Sequence, residues 1–380
     1  MSFSDDDRRH MAKALQLAAR GLTTAHPNPR VGCVIARGPE AIGEGWHHRA
    51  GGPHAEIEAL ADVGRKGGST RGATAYVTLE PCCHTGRTPP CTEALKAAGI
   101  SRVVYAAGDP NPRVNGGGEN ALAAAGIDVS GGLMAAGSEQ LNAGFFKRMR
   151  EGRPLIRSKI AATLDGRTAL ADGRSQWLTG PAARADVQRW RARSGAVLTG
   201  IGTVLADDPS LNVRIGDVAA DVVDQPWRVI LDSSGRTPKS ARTLALPGKV
   251  LVLVAEGADR EAVEGLRGRG ANIETVAASP GGVDLAAAFR RLAEREINEV
   301  WVEAGPVLNG ALLAAGLVDE LIVYQAASIL GNQARGMFDM AGLPDLASRP
   351  TFRLAELRRV GDDLRLRYTP VNHGNEPSKH

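Results

Sequence analysis

Three of the four cysteines fall within ten residues, in the segment LEPCCHTGRTPPC (Cys82, Cys83 and Cys91), and a His-x-Glu pair, His54 and Glu56, stands upstream in PHAEIEAL. A fold for this chain has to explain that crowding. His54 opens a stretch whose apolar residues recur at helical spacing, and Cys82 lies just past the strand-like run ATAYVTLE. Cys91 lies in the first turn of PCTEALKAAGI, a helix pattern with proline at its start and Gly99 near its end. Two helix starts and a strand end converge naturally where strands and helices alternate in layers.

The residue types point to a metal. A zinc ion that activates water takes three protein ligands and keeps one position open, and His54, Cys82 and Cys91 are such a set. Side chains at i and i+2 diverge by about 200° around a helix. Glu56 can therefore serve the same centre only if His54 stands at the very start of its helix, where the carboxylate reaches the activated water as a proton shuttle without ligating the ion. The competing readings are a closed structural zinc completed by Cys83 or His84, buried thiols, and a solvated glutamate. His-x-Glu followed by Pro-Cys and a further Cys is the signature of zinc deaminases, with one departure: eight residues separate Cys82 from Cys91, where the common form has two.

At 380 residues the chain exceeds one ordinary core. Strand and helix patterns alternate up to EQLNAGFFKRMREGRP, a helix running into a Gly–Pro stop, and a second alternating series starts at LIRSKIAATLDG. This gives an expected first domain over 1–150, a second over 151–370, and a polar tail over 371–380 expected to be disordered. A hydrophobic share of 43% and a charged share of 23% suit a soluble globular protein. No apolar run has membrane length, the polar start MSFSDDDRRH is no signal peptide, and cysteines gathered in one quarter fit a reduced, cytoplasmic chain better than a disulfide framework. The net charge of +4 is scattered and aromatics make up only 4%, which argues against a nucleic-acid partner and fits a phosphorylated small molecule. Gly200 and Gly202 follow AVLT, and Gly305 follows VWVEA; each precedes a helical stretch, so backbone N–H groups there could face a cofactor phosphate. Neither is the GxGxxG fingerprint.

The segments HPNPRVG, GEGWHHRAGGPHAE and TLEPCCHTGRTPPC together resemble the deaminase half of the bifunctional riboflavin-biosynthesis deaminase/reductases, whose cysteine loop has this longer form. The resemblance continues through SKIAATLDGRTA, SQWLTG, LTGIGTVLADDPSLNVR and VWVEAGPVLNGALL, in the order of that family's reductase half, and covers about residues 8 to 368. It implies a cytidine-deaminase-like three-layer α/β/α domain followed by a dihydrofolate-reductase-like α/β domain. It also implies zinc and NADPH as cofactors and a homo-oligomer, dimer or tetramer. The implied reactions are deamination of a diaminopyrimidinone carrying a ribosylamino 5′-phosphate, then reduction of its ribosyl group to a ribityl chain.

Carried onto this sequence, the resemblance places zinc on His54, Cys82 and Cys91, proton transfer on Glu56, and pyrimidine contacts on Asn28 and on His47, favoured over His48 by position only. Cofactor contacts fall on Ala161, Trp177, Thr203, Asp207, Ser233 and the run Gly305, Pro306, Val307, Leu308, Asn309 and Gly310. Substrate contacts fall on Ser175, Arg191, Leu211, Arg214 and Glu303. Arg191 and Arg214 are expected to hold the phosphate, because guanidinium matches it with paired hydrogen bonds. Lys159 and Asp207 are candidates for polarising or protonating the sugar.

Overall fold

The computed structural model describes residues 3–84, 89–112, 114–214 and 224–371. The tail expected to be disordered lies, from residue 372 on, outside the described residues. The chain divides into two compact units, Met1–Arg153 and Pro154–His380.

The first unit runs α1 (Asp5–Ala18), β1 (Gly32–Arg37), β2 (Glu40–Trp46), α2 (Ala55–Arg65), β3 (Thr74–Leu79), α3 (Cys91–Ala97), β4 (Arg102–Ala107), α4 (Gly117–Ala124), β5 (Asp128–Gly131), α5 (Ala135–Leu141) and α6 (Ala143–Glu151). Its sheet has the order β2-β1-β3-β4-β5, with β3, β4 and β5 parallel and β1 antiparallel to both neighbours. Strand side chains alternate between faces. Cys33, Ile35, Ala75, Val77 and Val103 therefore pack under α2 and α3 through Ala55, Ala59, Val63 and Leu95. Val34, Ala36, Tyr76, Val104 and Ala106 face Met11, Ala14 and Leu17 of α1. This is a three-layer α/β/α unit of the cytidine-deaminase type. The approach of α2 to β2 is close: a Cβ on Gly45 would stand 2.4 Å from the Ala55 carbonyl oxygen, so only glycine allows this spacing at the start of α2.

The expected single helix over EQLNAGFFKRMRE is two, broken at Asn142. Asn142 is buried, and its side chain serves another segment: Oδ1 accepts the Arg30 N–H at 2.7 Å and Nδ2 donates to the Arg30 carbonyl at 2.9 Å. The stop itself is Gly152, in the left-handed region at φ 68°, which closes α6.

The second unit runs β6 (Leu155–Ala162), β7 (Arg167–Ala169), α7 (Pro181–Arg193), β8 (Ala196–Gly200), α8 (Ile201–Asp207), β9 (Trp227–Leu231), α9 (Arg242–Ala245), β10 (Val250–Ala255), α10 (Arg260–Arg267), β11 (Asn272–Val276), β12 (Ala278–Ser279), β13 (Gly282–Val283), α11 (Leu285–Glu294), β14 (Glu299–Glu303), α12 (Pro306–Ala314), β15 (Glu320–Gln325), β16 (Arg335–Gly336), β17 (Phe352–Val360) and β18 (Asp363–Pro370). The main sheet has the order β11-β10-β9-β8-β14-β6-β15-β18-β17. It is parallel from β11 to β15 and ends in the antiparallel β18 and β17. Inside the edge strand β11, both faces of the parallel part are largely buried, as crossover helices require. Phe289 and Leu292 of α11 and Leu312 of α12 cover Leu198, Val229 and Leu251 on one side. On the other, Trp190 of α7 stacks on Trp301 with ring centroids 5.4 Å apart. Gly200 caps the N-terminus of α8, whereas Gly202, expected before that helix, lies inside it.

Candidate functional sites

In the first unit, His54 is the N-cap of α2 in extended conformation and makes no side-chain capping bond, so its ring is free to turn inward. Its Nδ1 lies 3.2 Å from Cys91 Sγ and 3.6 Å from Cys82 Sγ, and the Cys91 backbone N–H donates to Cys82 Sγ at 3.3 Å. All three donor atoms lie within 4.8 Å of one another, the single such trio of His, Cys, Asp and Glu found among the described residues. These separations match the edges of a tetrahedron around zinc with bonds of about 2.0–2.3 Å. Glu56 is buried beside the trio but outside it. Burial, and then the charge of Cys82, push its carboxyl above the usual range. The two thiols share a hydrogen bond that draws the Cys82 pKa down and drives the Cys91 pKa up, so the pair divides its charge unequally. Neither Cys83 nor His84 joins the trio. Cys83 instead faces the start of α4, where a Cβ on Gly117 would come within 2.8 Å of its sulfur.

Beside this cluster, His47 donates from Nδ1 to the Pro53 carbonyl at 2.9 Å, and its Nε2 lies 3.0 Å from Asn28 Nδ2. His47 is buried and meets the His54 ring edge-on at 5.5 Å. His48 is exposed and stacks on Trp46. Two supporting residues escaped the sequence reading. Glu80, two positions before Cys82, is buried and accepts backbone N–H groups from Asp109, Gly116, Gly118 and Glu119 at 2.9–3.3 Å. It fastens the cysteine segment to the loop leading into α4. Asn142 does the same for the segment carrying Asn28. A charged residue between an apolar strand and Pro-Cys is a visible signal for Glu80; Asn142 has none.

In the second unit, a cleft of about 1230 Å³ opens along the C-terminal ends of β9, β8, β14 and β6. Lys159 and Ala161 come from β6, Ser175 and Trp177 from the segment before α7, Arg191 from α7, Thr203 and Asp207 from α8, and Leu211 and Arg214 from the segment after it. Ser233 follows β9, Glu303 ends β14, and Gly305, Pro306, Val307 and Leu308 open α12. Asn309 and Gly310 are absent from the lining, contrary to expectation. Asn309 is buried, bonding Ser158 Oγ at 3.0 Å and the Ala304 carbonyl at 3.0 Å, and a Cβ on Gly310 would stand 2.0 Å from the Asp339 carbonyl oxygen. The helix turns both residues into the core.

Parallel register pairs Glu303 with Lys159. Arg191, expected to hold the phosphate, is engaged within the protein. It is buried, its Nε and Nη2 donate to the two oxygens of Glu303 at 2.6 and 2.8 Å, and Nη1 donates to the Asn212 carbonyl at 2.8 Å. Burial alone would raise the Glu303 carboxyl; Arg191 overrides it and brings it down to about 2. Burial lowers Lys159, with Glu303 pulling the other way, and burial raises Asp207. Seven cationic side chains and two carboxylates line the cleft, a balance that favours a polyanionic ligand.

Residues 4–107 match the cytidine and deoxycytidylate deaminase zinc-binding region, and residues 154–366 match the RibD C-terminal domain. These define a deaminase fold followed by a reductase fold. The chain is 50% identical to the riboflavin biosynthesis protein RibD of Escherichia coli (strain K12), over 94% of this chain and 98% of that protein. The solved structure of Acinetobacter baumannii RibD (form 1) superposes with a TM-score of 0.89 at 45% identity, covering 97% of this chain and 99% of that one. A Thermotoga maritima diaminohydroxyphosphoribosylaminopyrimidine deaminase/5-amino-6-(5-phosphoribosylamino)uracil reductase superposes with a TM-score of 0.83 at 32% identity, covering 96% and 99%. The chain belongs to the RibD family, the bifunctional deaminase/reductases of riboflavin biosynthesis. It is a bifunctional enzyme, with a zinc-dependent deaminase half and an NADPH-dependent reductase half. No helix among the described residues is long and apolar enough to cross a membrane.

Proposed function

We propose that the first unit deaminates 2,5-diamino-6-(5-phosphoribosylamino)pyrimidin-4(3H)-one, with zinc held by His54, Cys82 and Cys91. The carrying observation is the convergence of these three donors beside a buried Glu56. Zinc supplies a Lewis acid that makes water nucleophilic near neutral pH, its pKa falling from 15.7 to about 7. Glu56 takes a proton from the water and passes it to the departing ammonia. Burial favours its protonated form, the direction that suits a group which must take up a proton and give it back. Asn28 and His47, held to each other, contact the pyrimidine edge.

The second unit then reduces the ribosyl group of 5-amino-6-(5-phosphoribosylamino)uracil to a ribityl chain. NADPH supplies the hydride. Ala161, Trp177, Thr203, Asp207, Ser233 and the run Gly305 to Leu308 bind it, with Gly305 capping α12 so that free backbone N–H groups meet its phosphates. Lys159 donates the proton to the opened sugar, oriented by Glu303, which Arg191 fixes in turn. Ser175, Leu211 and Arg214 complete the substrate contacts. The reading includes a cytoplasmic protein, supported by its free cysteines. It also includes a homo-oligomer, dimer or tetramer, supported by the edge strand β17, which exposes Leu354 and Leu357.

Glu56→Gln tests the division of labour. It should keep its zinc, lose roughly 10²–10⁴-fold in deamination, and still reduce supplied aminouracil phosphate with NADPH. Product mass and cofactor absorbance read both steps, and undiminished deamination in the zinc-loaded variant would exclude the shuttle.

A further inference from the structure

We infer that Arg242, the first residue of α9, is a phosphate-recognising residue of the reductase site, holding the substrate's 5′-phosphate together with Arg214. The inference rests on the reading of the cleft as the reductase site. A phosphate monoester needs guanidinium groups with uncommitted N–H donors. Arg191 has spent three of its five on Glu303 and Asn212, in a buried geometry that leaves little reach. Arg214 lines the cleft and commits one side-chain N–H, to Ser210 Oγ at 2.6 Å. Arg242 lines the same cleft, and its guanidinium meets only Asp208, at 3.9 Å, among the described residues.

One turn, Asp207 to Leu211, contacts both arginines. The Arg242 backbone N–H donates to Asp208 Oδ1 at 2.7 Å, which seats the start of α9 against the turn, while Ser210 of that turn receives Arg214. Asp208 and Leu211 both sit in the left-handed region, at φ 41° and 52°. Such backbone is costly for residues with a Cβ and persists where surrounding contacts over-determine it. The charges of Arg191 and Arg242 both depress Arg214, after burial, so the three groups feel one another's field. An anion bridging Arg214 and Arg242 relieves that repulsion.

A phosphate monoester can come from the substrate or from the 2′-phosphate of NADPH, and the experiment separates them. For unaltered protein, Arg242→Ala and Arg242→Lys, two quantities are measured: the ratio of kcat/KM for phosphorylated over dephosphorylated aminouracil substrate, and calorimetric affinities for ribose 5-phosphate and for NADPH. Arg242→Ala should lower the ratio and the ribose 5-phosphate affinity about tenfold each, leave NADPH affinity in place, and be partly restored in Arg242→Lys. Loss confined to NADPH, or an unchanged ratio, overturns the assignment. Absence of NADPH-dependent reduction in the unaltered protein would instead overturn the reading of the cleft, and this inference with it. The Arg242 side chain is exposed while its neighbours Ala241 and Leu244 carry the core contacts of α9, so the substitution leaves that packing in place.

Discussion

In the first unit the proposed chemistry stands on the ends of three neighbouring elements, all between His54 and Cys91; in the second it is spread along the edges of four adjacent strands, from Lys159 to Leu308. A metal centre needs a few donors at fixed short distances, so one strand end and two helix starts suffice. A dinucleotide and a sugar phosphate need a long shelf. At about 4.8 Å per strand, β9 to β6 spans about 14 Å, enough to separate a hydride-transfer end near Lys159 from contacts near Ser233. The compact site concentrates its function in single residues, and the shelf shares it among many.

The sharpest way to break this contrast is at one cysteine. Cys82→Ser should lose the zinc and abolish deamination, while reduction of supplied aminouracil phosphate continues at its original rate. Metal analysis with two separate assays checks it. A variant with full zinc would dissolve the ligand assignment, and a loss of both activities would contradict two self-sufficient sites.

The same contrast explains what could be read beforehand. The trio was legible because its residue types are rare and their spacing is short. Its physical condition, His54 at the very start of a helix, is met by the N-cap. The alternating strands and helices were legible where apolar runs are long. β2, with Gly43 and Gly45, hid because glycine gives no apolar period, though the close approach of α2 demands it. The hairpin β17–β18 hid behind its arginines, although Leu364 and Leu366 alternate with Arg365 and Arg367. Arg191 was read as a phosphate holder because sequence shows a guanidinium on a helix face and not the partly buried Glu303 that it pairs with. Asn309 and Gly310 were drawn into the cofactor run by adjacency along the chain, while the helix turned them inward.

A middle-sized effect concerns how the first unit holds its layers together. Asp7 accepts the Tyr76 hydroxyl at 2.7 Å and Arg102 Nη1 at 2.7 Å, and its other oxygen accepts the Ser4 N–H at 3.0 Å, tying α1 to β3 and β4. Burial would raise the Asp7 carboxyl; Arg102, Ser4 and Tyr76 overcome it and hold the group well below the usual carboxylate range. A depressed folded-state pKa means that the contribution is full above the unfolded value near 4 and is lost as pH falls below it. Asp7→Asn should cost the first unit about 2 kcal/mol at pH 7 and flatten its stability between pH 4 and 2. Chemical denaturation with a probe in each unit checks this, and equal destabilisation of both units would show that they do not unfold separately.

The smallest effect sharpens the comparison at the other site. Lys159 lies beside Glu303 in the register of β6 and β14, and Arg191 is bonded to that same carboxylate. Burial lowers its pKa, Glu303 raises it and Arg191 lowers it, and burial prevails. If the ammonium form delivers the proton, reduction is level at low pH and declines as pH rises through a value below that of an ordinary lysine, about 10.4. The sign follows from the charge: raising pH empties the donor. The measurement is kcat/KM for reduction of aminouracil phosphate against pH, at saturating NADPH, for the unaltered protein and for Lys159→Met. The unaltered protein should show the alkaline decline, and the methionine variant should be slower with that decline gone. A decline that survives in Lys159→Met would assign it to another group on the shelf. That result would place the proton transfer, like the binding, on more than one residue.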